Sequence, residues 1–234
     1  MSEAVSQADD DLELDELVRR VDPDRWLSSR FIGDPIQRAD VVALYAYDHE
    51  LGRASRVASN PLLGEIRLTW WREALDEIFG GRDVRRHPTA QALARAVARR
   101  GLAREPLEAM IDARYRELDP APLSEAEALD WARTTAGEAA RAAVAVLDPT
   151  APAQLSVAAA AAWALARRAA DQPDLRGAFR KLLAEGRRDA RRLSPAAFPA
   201  VAHAVFAPGR AQGGSSEGLA GRLRITLAVA RGRL

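Results

Sequence analysis

The sequence predicts an all-α protein, and three observations lead to this prediction. First, a capping side chain stands directly before a proline at several points, as in Asn60-Pro61 and Ser194-Pro195. The cap accepts a hydrogen bond from a free N–H of the first helical turn, and proline has no N–H to leave unpaired. Second, helix-forming residues dominate between these points, and 50 of the 234 residues are alanine. Third, strand signals are almost missing.

Start and stop signals divide the chain into nine predicted helices. Ser124 and Glu127 have the spacing of a capping box, in which the two residues satisfy each other's backbone N–H groups. Glycines such as Gly80 and Gly101 are expected to end helices, because glycine tolerates the left-handed conformation found after a last turn. The predicted helices span residues 34–58, 61–79, 88–100, 105–118, 124–147, 153–170, 174–192, 195–205 and 219–232.

The segments between and around these helices predict the domain organisation. Residues 1–20 are strongly acidic and are expected to form a disordered tail. Residues 21–206 are expected to form one helical domain. Residues 207–218 are rich in glycine and serine and predict a flexible linker. The last segment, 219–234, predicts a basic helix that either belongs to the same domain or docks on a membrane.

Charge is distributed unevenly along the chain, and this distribution suggests a partner. Residues 1–24 carry a balance of −7 and residues 175–234 a balance of +9, although the whole chain carries only +1. Such asymmetry can indicate an anionic membrane surface; the alternative is that solvated helix faces simply differ. In the last helix, leucines at 219, 223, 227 and 234 form one side. The arginines expected to reach anionic lipid at its edges are Arg222, Arg224, Arg231 and Arg233.

Composition also excludes several classes of function. The near-neutral charge argues against nucleic-acid binding. Cysteine is absent, and His49, His87 and His203 share no ligand spacing, so a thiolate or histidine metal site is not expected. The acidic N-terminus does not resemble a secretory signal. The longest uncharged stretch, residues 149–166, is broken by proline and too short to span a bilayer. We therefore expect a cytoplasmic protein, peripheral on the inner membrane if it binds one.

Paired carboxylates are the feature that a helical enzyme acting on diphosphates would need. Two acids one helical turn apart can hold Mg²⁺, which the diphosphate oxygens then share. The chain has five such pairs, about as many as chance would place. Glu73–Glu77 is the one in the best-patterned helix, where Leu63, Ile66 and Trp70 recur at helical spacing. We interpret Glu73 and Glu77 as a solvated face, with a metal-binding role as the alternative.

Asp48 is a candidate of a different kind. It lies on the same predicted helical stripe as Leu44 and Leu51, which indicates that it points inward. A buried carboxylate needs a partner, and an arginine of the next helix, Arg67 or Arg72, could supply one. The alternative is that Asp48 contacts a ligand.

The segment ALYAYDHELGRASRVASNPLLGEIRLTWWREALDEIFGG (43–81) resembles the squalene/phytoene synthase family. The resemblance extends to DPDRWLSSRF (22–31) and to WARTTAGEAARAAVAVL (131–147), which contains Gly137. It implies an isoprenoid-synthase-like helical bundle, shortened in its C-terminal half. Enzymes of this family join two prenyl diphosphates head to head and hold Mg²⁺ with two aspartate motifs in a central cavity.

Both aspartate motifs of the family are altered in this sequence. The first would place aspartates at positions 52 and 56, which are Gly52 and Arg56. The second would place them near 169 and 173, which are Ala169 and Pro173. Because these changes remove the Mg²⁺ ligands, metal-assisted ionisation of a diphosphate is not supported. In this part of the family cavity, Arg53 and Arg56 could then form an anion site.

The altered pattern is similar to a divergent branch of the family that includes an assembly factor of respiratory complex I. This resemblance implies a non-catalytic assembly role at a membrane surface. We therefore expect a catalytically degenerate scaffold without a cofactor, whose partners are an isoprenoid or lipid, or a subunit of a membrane complex. The expected pocket or ligand residues are Tyr45, Asp48, Arg53, Arg56, Trp70, Glu73, Glu77 and Gly137.

Two alternatives stay open at this point. The first is an active, Mg²⁺-dependent prenyl-diphosphate condensing transferase with unusual ligands. Its carboxylates would be drawn from Asp48, Glu50, Glu73, Asp76 and Glu77. The second is a plain helical adaptor, in which side chains fill the cavity. A large cavity between the helices would argue against the adaptor.

Overall fold

A computed structural model describes residues 2–57, 60–214, 216 and 218–234, and the side chains of residues 10–54 and of those from 60 onward. This part of the chain is helical and has no strand. The helices are α1 (Ser2–Val21), α2 (Pro23–Ser29), α3 (Pro35–Val57), α4 (Pro61–Phe79), α5 (Pro88–Arg100), α6 (Arg104–Tyr115), α7 (Glu125–Ala132), α8 (Glu138–Leu147), α9 (Val157–Ala169), α10 (Arg176–Ala190), α11 (Ala207–Arg210) and α12 (Leu219–Arg231).

Most of the capping residues that the sequence predicts are confirmed, but at the end of α4 Gly80 has φ −83° and the left-handed conformation belongs to Gly81, with φ +64°. Asn60 accepts a hydrogen bond from the N–H of Leu63 at 3.0 Å, at the start of α4. Ser124 and Glu127 form the capping box of α7. Gly101 ends α5 in the left-handed conformation, with φ +61°. A π-helical segment, Arg133–Gly137, joins α7 to α8, so residues 125–147 are helical throughout, close to the predicted range 124–147.

The N-terminal segment differs from the disordered tail expected over residues 1–20, because it forms α1. Leu14 and Val18 lie one helical turn apart and are both buried in the core. Asp15 accepts a hydrogen bond from the indole N–H of Trp26 at 2.9 Å, and Asp11 pairs with Arg95 at 2.6 Å. The carboxylates of Asp15 and Asp11 thus have partners on α2 and α5. Contacts between segments that are distant in sequence cannot be read from composition.

The C-terminal segment also differs from its prediction. The residues expected to form a helix over 195–205 instead form two 3₁₀ segments, Phe198–Ala200 and Ala202–Phe206. The expected linker begins with α11, and Arg210 at its end pairs with Asp24 at 2.7 Å. Ile225 and Ala228 of α12 are buried and form part of the same hydrophobic core as the preceding helices.

Close helix packing explains the many alanines. Every residue of α9 except Arg167 and Arg168 is buried. Where α10 crosses α9, a Cβ on Gly186 would lie 2.5 Å from the Cα of Ala159. Small residues let the two helix axes approach, so the core is dense although large side chains are few. None of the helices in the described part of the chain is long and apolar enough to cross a membrane.

Candidate ligand cavity

A cavity of about 890 Å³ opens between α2, α3, α6, α7 and α9. Its volume lies in the range of small-molecule sites. Apolar side chains on its wall include Leu123, Trp131 and Trp163, and the polar part of the wall is rich in arginine and acidic residues. The cavity therefore combines an apolar wall with a charged one, and it lies where the family resemblance implies a central cavity.

Asp48 on α3 is the centre of the charged wall. Its two carboxylate oxygens accept from different arginines: Oδ2 from Arg25 at 2.6 Å and Oδ1 from Arg114 at 2.6 Å. All three side chains are more than nine-tenths buried. Burial alone would raise the pKa of Asp48, but the charges of Arg114 and Arg25 and their hydrogen bonds lower it well below its ordinary value.

The inward orientation expected for Asp48 is therefore found, but its predicted partners are wrong. Arg72 of α4 instead pairs with Glu108 at 2.8 Å and Asp112 at 2.5 Å on α6, and Arg67 is exposed. The arginines that reach Asp48 come from α2 and α6, because these helices and not α4 face it across the cavity.

The network continues from Asp48 along α6 to α9. Arg114 also pairs with Glu117 at 3.1 Å, and Glu117 in turn binds Arg168. The guanidinium of Arg168 lies 4.0 Å from the ring centroid of Trp131. On the other side, Arg25 stacks at 4.6 Å over Trp163. Cation–π contacts of this kind hold the arginine planes in fixed orientations.

The residues of this site do not fit the Mg²⁺ ions that the family implies. Gly52 lines the cavity one helical turn after Asp48 and offers no side-chain ligand, and Arg56 lies outside the described side chains. Both oxygens of Asp48 already bind guanidinium groups. Throughout the described residues, no group of three histidine, aspartate or glutamate side chains could hold a metal ion. We therefore derive no chemical step through a metal.

The other candidate residues lie in several places. Arg53 lines the mouth of the cavity and pairs with Glu50 at 3.0 Å. Tyr45 is buried beneath Arg25, whose guanidinium lies 5.1 Å from the tyrosine ring. Gly137 permits contact between helices, since a Cβ there would lie 2.8 Å from a methyl carbon of Val157.

Glu73, Glu77 and Trp70 lie on α4 and do not line the cavity. Arg85 binds Glu77 at 2.7 Å and Glu73 at 3.2 Å, and it stacks over Trp70 at 4.6 Å. Hydrogen bonds from Arg85 lower the pKa of Glu77 to about 2. Trp70 lines a groove of about 310 Å³ with His87.

Among the remaining acids of the alternative ligand set, Asp76 pairs with Arg104 at 2.6 Å. Each acid of that set thus has an arginine partner, and only Asp48 lines the larger cavity. Glu73 and Glu77 form a surface ion-pair cluster rather than the inner wall of a cavity.

The sequence reasoning missed Arg25, Arg114, Trp131, Trp163 and Arg168. Arg25 and Trp131 lie inside segments that carry the family resemblance, so that resemblance could have pointed to them. Arg114 gives no such signal, because its partner Asp48 is 66 positions away. Contacts of this range depend on how the helices pack.

Three relatives match the chain over part of its length. They are named "NADH dehydrogenase (ubiquinone) complex I, assembly factor 6" in Rattus norvegicus (32% identical over 104 residues) and Bos taurus (30% over 105), and its homolog in Dictyostelium discoideum (22% over 115). These matches cover 44%, 44% and 49% of this chain and 31%, 31% and 32% of the relatives. The chain thus spans about a third of the length of the relatives it matches.

A solved structure shares the fold. The squalene synthase HpnC from Alicyclobacillus acidocaldarius superposes with a TM-score of 0.66 at 18% identity, covering 97% of this chain and 96% of that one. The match extends through the C-terminal half, where the resemblance in sequence is weak. It establishes the isoprenoid-synthase-like helical fold. The family model described as squalene/phytoene synthase matches residues 18–174, two thirds of the chain, and the protein therefore belongs to the squalene/phytoene synthase family.

Proposed function

We propose that this protein is a non-catalytic member of the family, whose cavity binds an isoprenoid or a lipid and which acts in assembling a membrane complex. One observation carries the proposal. The acid of α3 that faces the cavity, Asp48, is bound on both oxygens by Arg25 and Arg114, and Gly52 follows one turn later. Because guanidinium groups occupy both of its oxygens, Asp48 is not free to hold a cation.

The cavity itself supports the binding part of the proposal. Side chains leave about 890 Å³ empty, which argues against an adaptor with a filled core. Trp131, Trp163 and Leu123 on the wall offer apolar surface for a hydrocarbon chain.

Two further observations support the assembly part. The relatives that share up to 32% identity with this chain carry the name of an assembly factor for complex I, a membrane complex. In addition, α12 exposes Leu219, Leu223 and Leu227 to 74%, 55% and 48%. This stripe is flanked by arginines, and α12 contains no acid. Such a helix is suited to lie on an anionic membrane surface, on the inner membrane of the cell that makes it.

The proposal is tested by measuring turnover and binding on the same preparation. Farnesyl and geranylgeranyl diphosphate are supplied with Mg²⁺, and pyrophosphate release is followed. We expect no release above the protein-free blank, together with saturable, calorimetrically measured binding of the prenyl compounds.

Two results would overturn the proposal. Mg²⁺-dependent pyrophosphate release from either diphosphate, above the protein-free blank, would restore the condensing enzyme. Absence of saturable binding for prenyl compounds and phospholipids alike would remove the ligand and leave an adaptor.

A further inference from the structure

A second concave site lies outside the central cavity, between the C-terminal half of α3, the middle of α4 and the residue that precedes α5. This site, which we call the α4 groove, has a volume of about 310 Å³, at the lower end of the range for small-molecule sites. Aromatic and other apolar side chains make up most of its wall. Of its lining residues only Arg53 also lines the cavity, and the proposed function does not use the groove.

Aromatic rings form a rigid part of the groove wall. Trp70 and Trp71 pack edge to face, with ring centroids 4.9 Å apart, and the ring of His87 lies 5.3 Å from both. Arg85 stacks over Trp70 at 4.6 Å and is held in turn by Glu77. Because these contacts fix the rings before a ligand binds, little conformational entropy is lost when an apolar group packs on them.

The groove has an excess of positive charge. Both oxygens of Glu50 accept from Nη1 of Arg53 at 3.0 Å, so this acid is already paired. Arg67 is exposed and has no acidic partner among the side chains that the structure describes. Burial lowers the pKa of His87, so its ring is mostly neutral at pH 7. Two arginines and one glutamate therefore leave one positive charge, which an anionic ligand would balance.

Exposed apolar residues extend the groove along α4. Ile66 lines the groove and is 56% exposed, and Leu62, one helical turn before it, is 60% exposed. The apolar strip from Trp70 to Leu62 is roughly 12 Å long, from the rise per residue of an α-helix. A continuous apolar patch that stays exposed usually marks a binding site. Glu65 lies beside the strip, whereas α12 has no acid, so an anionic bilayer is a less suitable occupant than a single molecule.

We infer that the α4 groove binds a single-chain amphiphile with an anionic head group. The head group binds Arg67, and the alkyl chain packs on Trp70 and Ile66 toward Leu62. Guanidinium forks match the oxygens of carboxylates and of phosphate monoesters, so either head group has the required chemistry. The rings of the wall supply the apolar surface that the chain needs. This site is additional to the cavity and does not depend on the proposed function.

Calorimetric titration tests the inference with probes that share one alkyl chain: octanoate, octyl phosphate, octan-1-ol and octyltrimethylammonium. We expect the better of the two anions to bind about three- to tenfold more tightly than octan-1-ol, because a charge-assisted hydrogen bond adds to the apolar contact. Octyltrimethylammonium should bind more weakly than octan-1-ol. The tighter anion identifies the head group as a carboxylate or a phosphate. Decanoate should bind about three- to tenfold more tightly than octanoate, since its added methylenes lie on the apolar strip.

Variants of exposed residues locate the site with little effect on the fold. Arg67→Gln should lower the affinity for the preferred anion about three- to tenfold and leave octan-1-ol unchanged, whereas Arg67→Lys keeps the charge and should stay within about twofold of the wild type. Ile66→Gln should weaken the binding of both ligands several-fold. The controls are Arg82→Gln and Ile36→Gln, which change exposed residues outside the groove and should bind like the wild type.

Any of three results would overturn the inference: no saturable binding of either anion, equal affinity for the anions and octan-1-ol, or unchanged anion affinity in Arg67→Gln or Ile66→Gln. The last result would place the bound anion outside the α4 groove. Failure of this inference is distinguishable from failure of the proposed function. Loss of the groove site leaves the cavity of about 890 Å³ and its ligand, whereas pyrophosphate release with Mg²⁺ would reject the proposed function and leave the groove site.

Discussion

Arg25 on α2 donates to Asp48 on α3 at 2.6 Å, and the side chains of both are more than nine-tenths buried. Together with Arg114 on α6, this pair joins three helices through a single carboxylate. A buried charge is tolerated only while its partners are present, so this carboxylate is expected to be essential for stability.

Replacing Asp48 tests that expectation. Asp48→Asn leaves two buried guanidiniums without their counter-charge, and we expect it to lower the free energy of unfolding by about 3–5 kcal/mol. Urea denaturation followed by circular dichroism measures the change. The matched control is Asp76→Asn, because the Asp76–Arg104 pair is half-exposed and should contribute only about 0–1 kcal/mol. Equal effects of the two substitutions would contradict the role assigned to Asp48.

His203 predicts a dependence of stability on pH. It is fully buried between Tyr45 and Trp163, and burial together with the charge of Arg25 lowers its pKa to about 3. Its pKa in the unfolded chain is about 6.5, so the unfolded state binds a proton that the folded state does not. Its stabilising contribution is complete above pH 6.5 and is lost as the pH falls toward 3.

The variant His203→Leu isolates this contribution. Neither ring nitrogen has a hydrogen-bond partner among the described residues, so leucine leaves no polar group newly unpaired. Between pH 7.5 and pH 5 the wild type should lose about 2 kcal/mol more stability than the variant. Denaturant titrations at the two pH values measure the difference. The same loss in both proteins would show that His203 becomes protonated without unfolding the chain.

Gly186 is expected to tolerate no side chain. A Cβ there would lie 2.5 Å from the Cα and 2.6 Å from the backbone nitrogen of Ala159, and backbone atoms cannot move aside cheaply. We expect Gly186→Ala to destabilise the fold by about 1–3 kcal/mol. Gly177, near the start of the same helix, has nothing within 4 Å of its Cβ position, so Gly177→Ala should stabilise by about 0.4–1 kcal/mol. Thermal unfolding of both variants tests the sign of each effect.

The exposed stripe of α12 predicts binding to anionic vesicles. We expect the wild type to float with phosphatidylserine-containing liposomes and not with neutral ones, and the double variant Leu223→Gln with Leu227→Gln to lose most of this binding. The control is Leu62→Gln with Ile66→Gln, which changes exposed apolar residues on α4.

Deleting residues 207–234 would be a poor test, because it removes the Arg210–Asp24 pair and the buried Ile225 as well. Flotation that is equal for the two double variants would reject α12 as the contact. Flotation that is insensitive to salt would reject the part played by its arginines.

Local chemistry was sufficient to predict most helix boundaries. The capping of α4 by Asn60 and of α7 by Ser124, and the end of α5 at Gly101, involve groups within a few positions of one another. The same local reasoning failed for α1. Its acids bind Trp26 and Arg95, which lie beyond the segment itself, so composition alone indicated a tail.

The sequence by itself determined the fold class, the family and the loss of acids at positions 52 and 56, since these depend on residue type and order. Only the tertiary structure decided which charges meet. Asp48 receives Arg25 and Arg114 from 23 positions before it and 66 after it, and it does not meet Arg72 on the neighbouring helix. The reason is physical: a buried carboxylate binds whichever guanidiniums the packed helices bring within hydrogen-bonding distance, and helix packing depends on the whole core.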